Sequence, residues 1–413
     1  MKSFLQKSII ISTFLLQTLI FGSVYDVGYS EEIITPSKQE IASGEIYLGG
    51  YGVYKERGPA TGIKDDIYAK SMVIQEGESI IVITSLDLPG ISNKVLKEIR
   101  KGVYAQTKIP KENLFIGATH THAGPDLMGL WGGVTDTYKK IVIDKTTAAI
   151  INAYNKMEPS RLYISTTSEE NLNRRGLEIT DDSMSVIDAI SLSTGTRIAT
   201  MVNFGTHPIF VDEPEVSRDY CGYLVDYVSE RLGGPVLFVN GIMGDVVPPK
   251  NVDSAKDFGE TLGKAVVMAV SDSKEIEPDL VINTTVWKQK ISNPIFILAA
   301  GLSILDFDIS FNPFSGFEIE TRASYFRLGT QVQGVTFPGE SLTQNGLSIK
   351  DQMKAPSKLF FGLTGETLGY FIPSYDWNVP KNNYEEILSM GKDVGDIIQT
   401  KLTMFIKEDN TQF

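Results

Sequence analysis

Two distant segments of this chain end alike. Leu114-Phe115-Ile116 runs into Gly117-Ala118-Thr119-His120-Thr121-His122-Ala123-Gly124-Pro125, and Val202-Asn203-Phe204 runs into Gly205-Thr206-His207-Pro208. In each, an apolar β-like stretch meets residues that a ladder cannot continue through, because Gly adds no side chain to pack and Pro brings no N–H. Each stretch must end a strand, and its Thr-His must sit at that end, before the breaker. The chain has three histidines, and all of them lie in these two places.

Around these segments, short β-like runs (Ala69 to Ile74, Ile80 to Ile83, Val236 to Val239) alternate with helical patterns. Apolar spacing predicts helices from Asn93 to Thr107, with Val95, Leu96, Ile99 and Val103 on one face, and from Tyr138 to Met157. A last helix is expected to begin near Tyr384, with Ile387 and Leu388 at its start and Ile397, Ile398 and Leu402 further on. Leu192-Ser193-Thr194-Gly195-Thr196-Arg197 places turn residues between two apolar strands, so Ser185 to Phe204 reads as a hairpin, which brings antiparallel pairing. The expected fold is α/β: mixed β-sheets sandwiched by outer α-helices, in a single large domain. No repeat or Pro- or Ser-rich linker divides the chain, and 42% hydrophobic against 22% charged residues suffices for one large core.

Lys2 and Lys7 precede an apolar run from Ile9 to Phe21. It is shorter than the ~20 residues a bilayer needs and reads as a secretory signal. Gly28-Tyr29-Ser30 offers small residues for cleavage, giving residues 1–30 as a signal peptide and 31–413 as the domain; an uncleaved anchor is the alternative. The expected destination is secreted or periplasmic. Pro294 to Leu305 is too short to span a membrane and is expected to be a buried helix, with a lipid-facing lip as the alternative. A net charge of −13 would repel phosphate backbones, so nucleic acid is excluded as a partner.

Residues two apart in an extended chain face the same side, so His120 and His122 can converge on one point. Imidazole is a natural ligand for zinc, although a hydrogen-bonded histidine pair would give the same sequence. Cys221 is the only cysteine, which excludes an intramolecular disulfide and a four-cysteine zinc site; a metal here needs His, carboxylate or Tyr. Asp245, after Asn240-Gly241-Ile242-Met243-Gly244, and Glu340, after Phe337-Pro338-Gly339, follow strands among glycines, and Asp219 sits in Ser217-Arg218-Asp219. Such carboxylates serve active sites and equally serve turns and helix caps.

Taken in order, Gly117 through Pro125, Asn203 through Pro208, Gly241 through Pro248, Pro338-Gly339-Glu340 and Leu368-Gly369-Tyr370 resemble the neutral/alkaline non-lysosomal ceramidase family in its amino-terminal, catalytic domain. The resemblance begins near Ile34-Thr35-Pro36, passes Leu48-Gly49-Gly50-Tyr51-Gly52 and Ser85-Leu86-Asp87-Leu88, and reaches Tyr384-Glu385-Glu386. It implies a zinc-dependent amidase with the metal, Zn²⁺, held by His120, His207, Glu340 and Tyr370. His122 would be an acid/base or substrate-orienting residue, Arg174 the family's active-site arginine and Tyr384 the tyrosine that helps hold the substrate carbonyl. Asp245 joins His122, Arg174 and Tyr384 as a catalytic candidate.

Two departures accompany the match. Val247 stands in Gly244-Asp245-Val246-Val247-Pro248 where the family has serine, and the immunoglobulin-like domain that follows the family's catalytic domain has no counterpart before Phe413. The first excludes any mechanism that needs that hydroxyl. The expected function is an exported zinc-dependent hydrolase cleaving an amide bond of an N-acyl lipid or related small amide, with contact to a membrane surface and no protein partner implied. A metal-dependent esterase on the same site and a non-catalytic envelope or binding homologue are the alternatives.

Overall fold

The computed structural model describes residues 23–51, 57–379 and 384–413. The Ile9 to Phe21 run lies outside the described residues. A nine-stranded sheet holds β1 (Tyr25–Ile33), β2 (Tyr68–Glu76), β3 (Ser79–Leu86), β4 (Leu114–Ala118), β5 (Glu158–Ser168), β6 (Ser183–Ser191), β7 (Arg197–Phe204), β8 (Val236–Asn240) and β9 (Lys274–Ile276). Its order is β8-β7-β6-β5-β1-β2-β3-β4, with β9 beside β5. The two outer pairs, β7 with β8 and β3 with β4, are parallel, and the others are antiparallel. β6 and β7 form the hairpin expected between Ser185 and Phe204.

A second, five-stranded sheet contains β10 (Leu280–Lys290), β11 (Ser310–Asn312), β12 (Gly316–Leu328), β13 (Val332–Thr336) and β14 (Ser357–Phe361), with β13 and β14 parallel. The period-two alternation of strand side chains builds the layers. In β3, Ile81 and Ile83 join Phe326, Leu359 and Phe361 between the two sheets, whereas Ile80 and Val82 face a helical layer. That layer includes α1 (Asn93–Thr107) and α2 (Asp136–Asn155) over one half, and α3 (Asp219–Leu232) and α4 (Ala255–Val270) over the other. The far face of the second sheet is covered by α5 (Pro294–Gly301), α6 (Thr343–Lys350) and α7 (Val394–Asp409). The fold is thus the mixed-sheet α/β sandwich expected. α1 has the expected bounds because Ser92 accepts from the Val95 N–H and Lys108 adopts a left-handed conformation at the far end.

Three expectations meet a different outcome. Tyr25, Val27 and Tyr29 are core residues of β1, whose Asp26–Ile33 pair with β2, so a cut after Ser30 would divide a central strand. The last helix is interrupted: a short turn at Tyr384–Ile387 is separated from α7 by a break in which Gly391 has φ 158°. Pro294 to Leu305 is not a core helix, since Ala300 alone of α5 is buried. Periodicity missed this because an all-apolar segment has no polar face to reveal which side meets water. No helix among the described residues is long and apolar enough to cross a membrane.

The parallel edges bring distant segments together. Gly362 donates to the Asn240 carbonyl at the end of β8, and Gly365 donates to Ile116 in β4. The Asn240 side chain donates to the Thr119 carbonyl over 2.8 Å. The strand ends carrying His120 and His207 are held at one place.

Candidate metal centre

His120 follows β4 in a left-handed conformation, φ 66°, with its N–H on the Leu88 carbonyl. Its Nδ1–H donates to the Pro89 carbonyl. His207 follows β7, and its Nδ1–H donates to the Val246 carbonyl over 2.8 Å. These bonds assign the proton of each ring to Nδ1 and leave each Nε2 with a bare lone pair. Both lone-pair nitrogens face Glu340: His120 Nε2 lies 3.7 Å from Oε1, and His207 Nε2 lies 3.3 Å from Oε2. Glu340 arrives from β13 through Pro338-Gly339 and pairs directly with Tyr370 in a parallel bridge, Glu340–Ser341 beside Tyr370–Phe371. All four side chains are buried.

This arrangement could hold a cation. Among the described residues Glu340 Oε2 is buried with no hydrogen-bond donor, and the two imidazoles beside the carboxylate turn lone pairs to it, while the Tyr370 side chain bonds to the carboxylate. Burial of a carboxylate is costly, and a divalent ion between two imidazoles and a carboxylate would offset it. The donor set fits zinc, which takes nitrogen and oxygen ligands together. His120, His207 and Glu340 would hold it, with Tyr370 beside them.

His122 differs. The backbone N–H of Tyr51 donates to its Nδ1 over 3.3 Å, so its proton sits on Nε2. It therefore presents a donor, although the ligating atoms of the three imidazoles all lie within 4.8 Å of one another. Tyr51 also packs its ring edge-on against His122 at 4.9 Å. The approach requires glycine at position 50, where φ is 96° and a Cβ would lie 2.2 Å from the His122 ring. Sequence reasoning missed Tyr51 as a partner, though the Gly49-Gly50-Tyr51 motif marked the place.

Arg174 stacks over the rings of Tyr370 and Tyr384, at 5.5 and 5.2 Å. Its guanidinium donates to the Gly244 carbonyl over 2.7 Å and pairs with buried Glu385 at 3.0 Å. Burial works against its charge, but Tyr370, Glu385 and Glu340 outweigh it and keep the arginine ionised. Glu385 is a second residue whose role the sequence did not disclose. Asp245 is not in this cluster. Its Oδ1 accepts from the Thr343 N–H and hydroxyl, and its Oδ2 from Asn173, so it positions the loops bearing Arg174 and Glu340. Asp219 likewise fastens the loop after His207 by accepting from Val211 and Tyr220.

Residues 25–177 match the sequence profile described as neutral/alkaline non-lysosomal ceramidase, N-terminal. The structure of neutral ceramidase from Pseudomonas aeruginosa superposes with a TM-score of 0.76 at 17% identity, covering 92% of this chain and 74% of that one. The chain has the neutral ceramidase fold. A ceramidase complexed with C2 superposes with a TM-score of 0.74 at 16% identity over the same shares. The resemblance read from the motifs therefore holds by sequence over the first part of the chain and by fold over nearly all of it.

On this fold the His–Glu cluster closes one end of an apolar cavity of about 410 Å³. His120, His122, Glu340, Tyr370 and Tyr384 form the polar end, and Met128, Leu130, Trp131, Phe296, Ala299 and Phe307 are among the apolar walls. Val247 lines a separate cavity of about 560 Å³, which it shares with Arg174.

Acid is expected to unfold the metal-free protein through these imidazoles. Burial, partly opposed by Glu340, pushes His120 down to about 4, and burial pushes His122 well down too. With an unfolded value near 6.5, the unfolded chain binds more protons between the two, so stability is full above about 6.5 and falls toward pH 4. The His120 contribution is on the order of 3 kcal/mol. Melting in a chelator from pH 7.5 to 4.5 should show the decline, and His120→Gln should flatten it; equal slopes would reject the assignment.

Proposed function

We propose that this protein is a zinc-dependent hydrolase of the amide bond of an N-acyl lipid, acting outside the cytoplasm. The observation that carries the reading is Glu340 Oε2, buried without a donor among the described residues and opposite two bare imidazole nitrogens, at the end of an apolar cavity. The cavity supports an acyl chain as the group bound, and the ceramidase fold supports an amide as the bond cleaved. The Ile9 to Phe21 run supports export.

Zinc held there supplies Lewis acidity and lowers the pKa of water toward ~7. Glu340 and the two imidazoles fix its place, and Tyr370 closes the polar end. Tyr384 presents its hydroxyl where an amide oxygen gains charge, and Arg174, stacked on Tyr370 and Tyr384 from the neighbouring cavity, supplies positive field through them. His122 carries its proton on Nε2, facing the cavity, where it can pass to the departing amine nitrogen. The apolar walls exclude bulk water from the acyl side. Val247 sits in the other cavity, so this course makes no use of a hydroxyl at that position.

Purified protein reconstituted with zinc and then dialysed should retain about one zinc per chain. It should hydrolyse a fluorogenic long-chain N-acyl amide faster than the matched ester, and a chelator should abolish the rate. His120→Ala should lose metal and activity together. Retention of no zinc would sink the metal reading; ester cleavage without amide cleavage would sink the amide.

A further inference from the structure

α5 carries no polar side chain: Pro294-Ile295-Phe296-Ile297-Leu298-Ala299-Ala300-Gly301. Its inner side is accounted for, because Phe296 and Ala299 line the cavity and Phe296 packs on Phe307 at 5.7 Å. Its outer side is not. Ile295, which also lines the cavity, is 57% exposed, Leu298 64%, Leu302 63% and Ile304 53%. The first three fall at i, i+3 and i+7, one stripe of a helix. A contiguous exposed apolar stripe beside a cavity mouth marks an interaction surface.

The helix is built into this position. Asn293 caps it, accepting from the Ile295 N–H over 2.9 Å. The Asn293 amide also donates to the Ile387 and Ser389 carbonyls, both over 2.7 Å, which ties α5 to the Tyr384–Ile387 turn at the polar end of the cavity. On the other side Asp306 donates to the Met128 carbonyl over 2.8 Å. The apolar cavity wall and the exposed stripe are thus two sides of one fixed lip.

We propose that α5 seats the protein on a zwitterionic lipid surface, so that the cavity mouth opens toward hydrocarbon and an acyl chain reaches the Glu340 cluster without crossing water. This deepens the functional reading above and rests on it for the identity of the substrate. Lipid is favoured over a second copy of the chain by size: four side chains little more than half exposed offer on the order of 400 Å², about half of what one partner buries in a stable interface. It is favoured over an anionic membrane by the net charge of −13, which an anionic surface repels.

The test uses the full chain, phosphatidylcholine vesicles and the double variant Leu298→Asp with Leu302→Asp; neither residue lines the cavity. The wild type is expected to co-sediment with the vesicles, and the double variant to bind about tenfold more weakly or less. Hydrolysis of a short-chain, water-soluble N-acyl amide should be unchanged in the variant, while hydrolysis of a long-chain amide embedded in vesicles falls with binding. A Leu298→Trp variant should shift its emission to the blue on adding vesicles. Failure of the wild type to sediment, equal binding by the double variant, or a wild-type dimer that the two aspartates dissociate would each overturn the proposal. Sedimentation needs no turnover, so vesicle binding without hydrolysis would sink the enzymatic reading and leave this one standing.

Discussion

Glu340→Gln is expected to reduce activity by on the order of 10³-fold, through loss of several kcal/mol of metal-supplied stabilisation, while the metal-free protein melts at the same temperature or higher at pH 8. The two effects have opposite sign if, as proposed above, the carboxylate holds an ion. Two imidazoles turn bare Nε2 atoms toward it, and among the described residues no donor reaches Oε2. The glutamine amide has the same shape, no charge, and an N–H₂ that can donate to an imidazole nitrogen. Zinc content by elemental analysis, amide hydrolysis and chelated melting curves measure the three quantities. A chelated variant destabilised by more than about 2 kcal/mol would mean that Glu340 is already satisfied without a cation, and the metal centre would fail as an explanation.

Glu366→Ala is expected to cost about 3–5 kcal/mol of stability, the price of leaving a buried cation unpaired. Arg100 on α1 donates to Glu366 over 2.7 Å, with both side chains almost wholly buried, and Thr321 in β12 donates to its other oxygen over 2.9 Å. The carboxylate lies below the usual range because Arg100 and Arg322 outweigh its burial. Glu366 fixes the segment running from Gly362, strapped across the sheet edges, to Tyr370 beside Glu340. Activity should fall together with stability. Urea unfolding midpoints of the wild type, Glu366→Ala and the double variant Glu366→Ala with Arg100→Met decide the cause. Recovery in the double variant is expected, and equal loss in both would trace the cost to packing instead.

Much of the fold was legible because strands and amphipathic helices write their periods locally. α1 and the β6–β7 hairpin appear where alternation and turn residues place them. α5 was misread because eight apolar residues carry no such contrast. Asp245 was misread for a related reason: a carboxylate between glycines looks the same whether its oxygens face a cavity or, as here, bind Thr343 and Asn173. Tyr51 and Glu385 were passed over because each acts through a partner far away in the chain, His122 and Arg174.

The sequence by itself determined which residues end strands, that metal chemistry here must use His, carboxylate or Tyr, and, through ordered motifs, which family the chain resembles. Those are properties of neighbours along the chain and of composition. Only the tertiary structure decided that His120 and His207 expose Nε2 while His122 keeps its proton there, since a tautomer is set by whichever backbone group packs against the ring. It also decided that Glu340 meets two imidazoles at the end of an apolar cavity, because that meeting depends on how the ends of β4, β7 and β13 come together across two sheets.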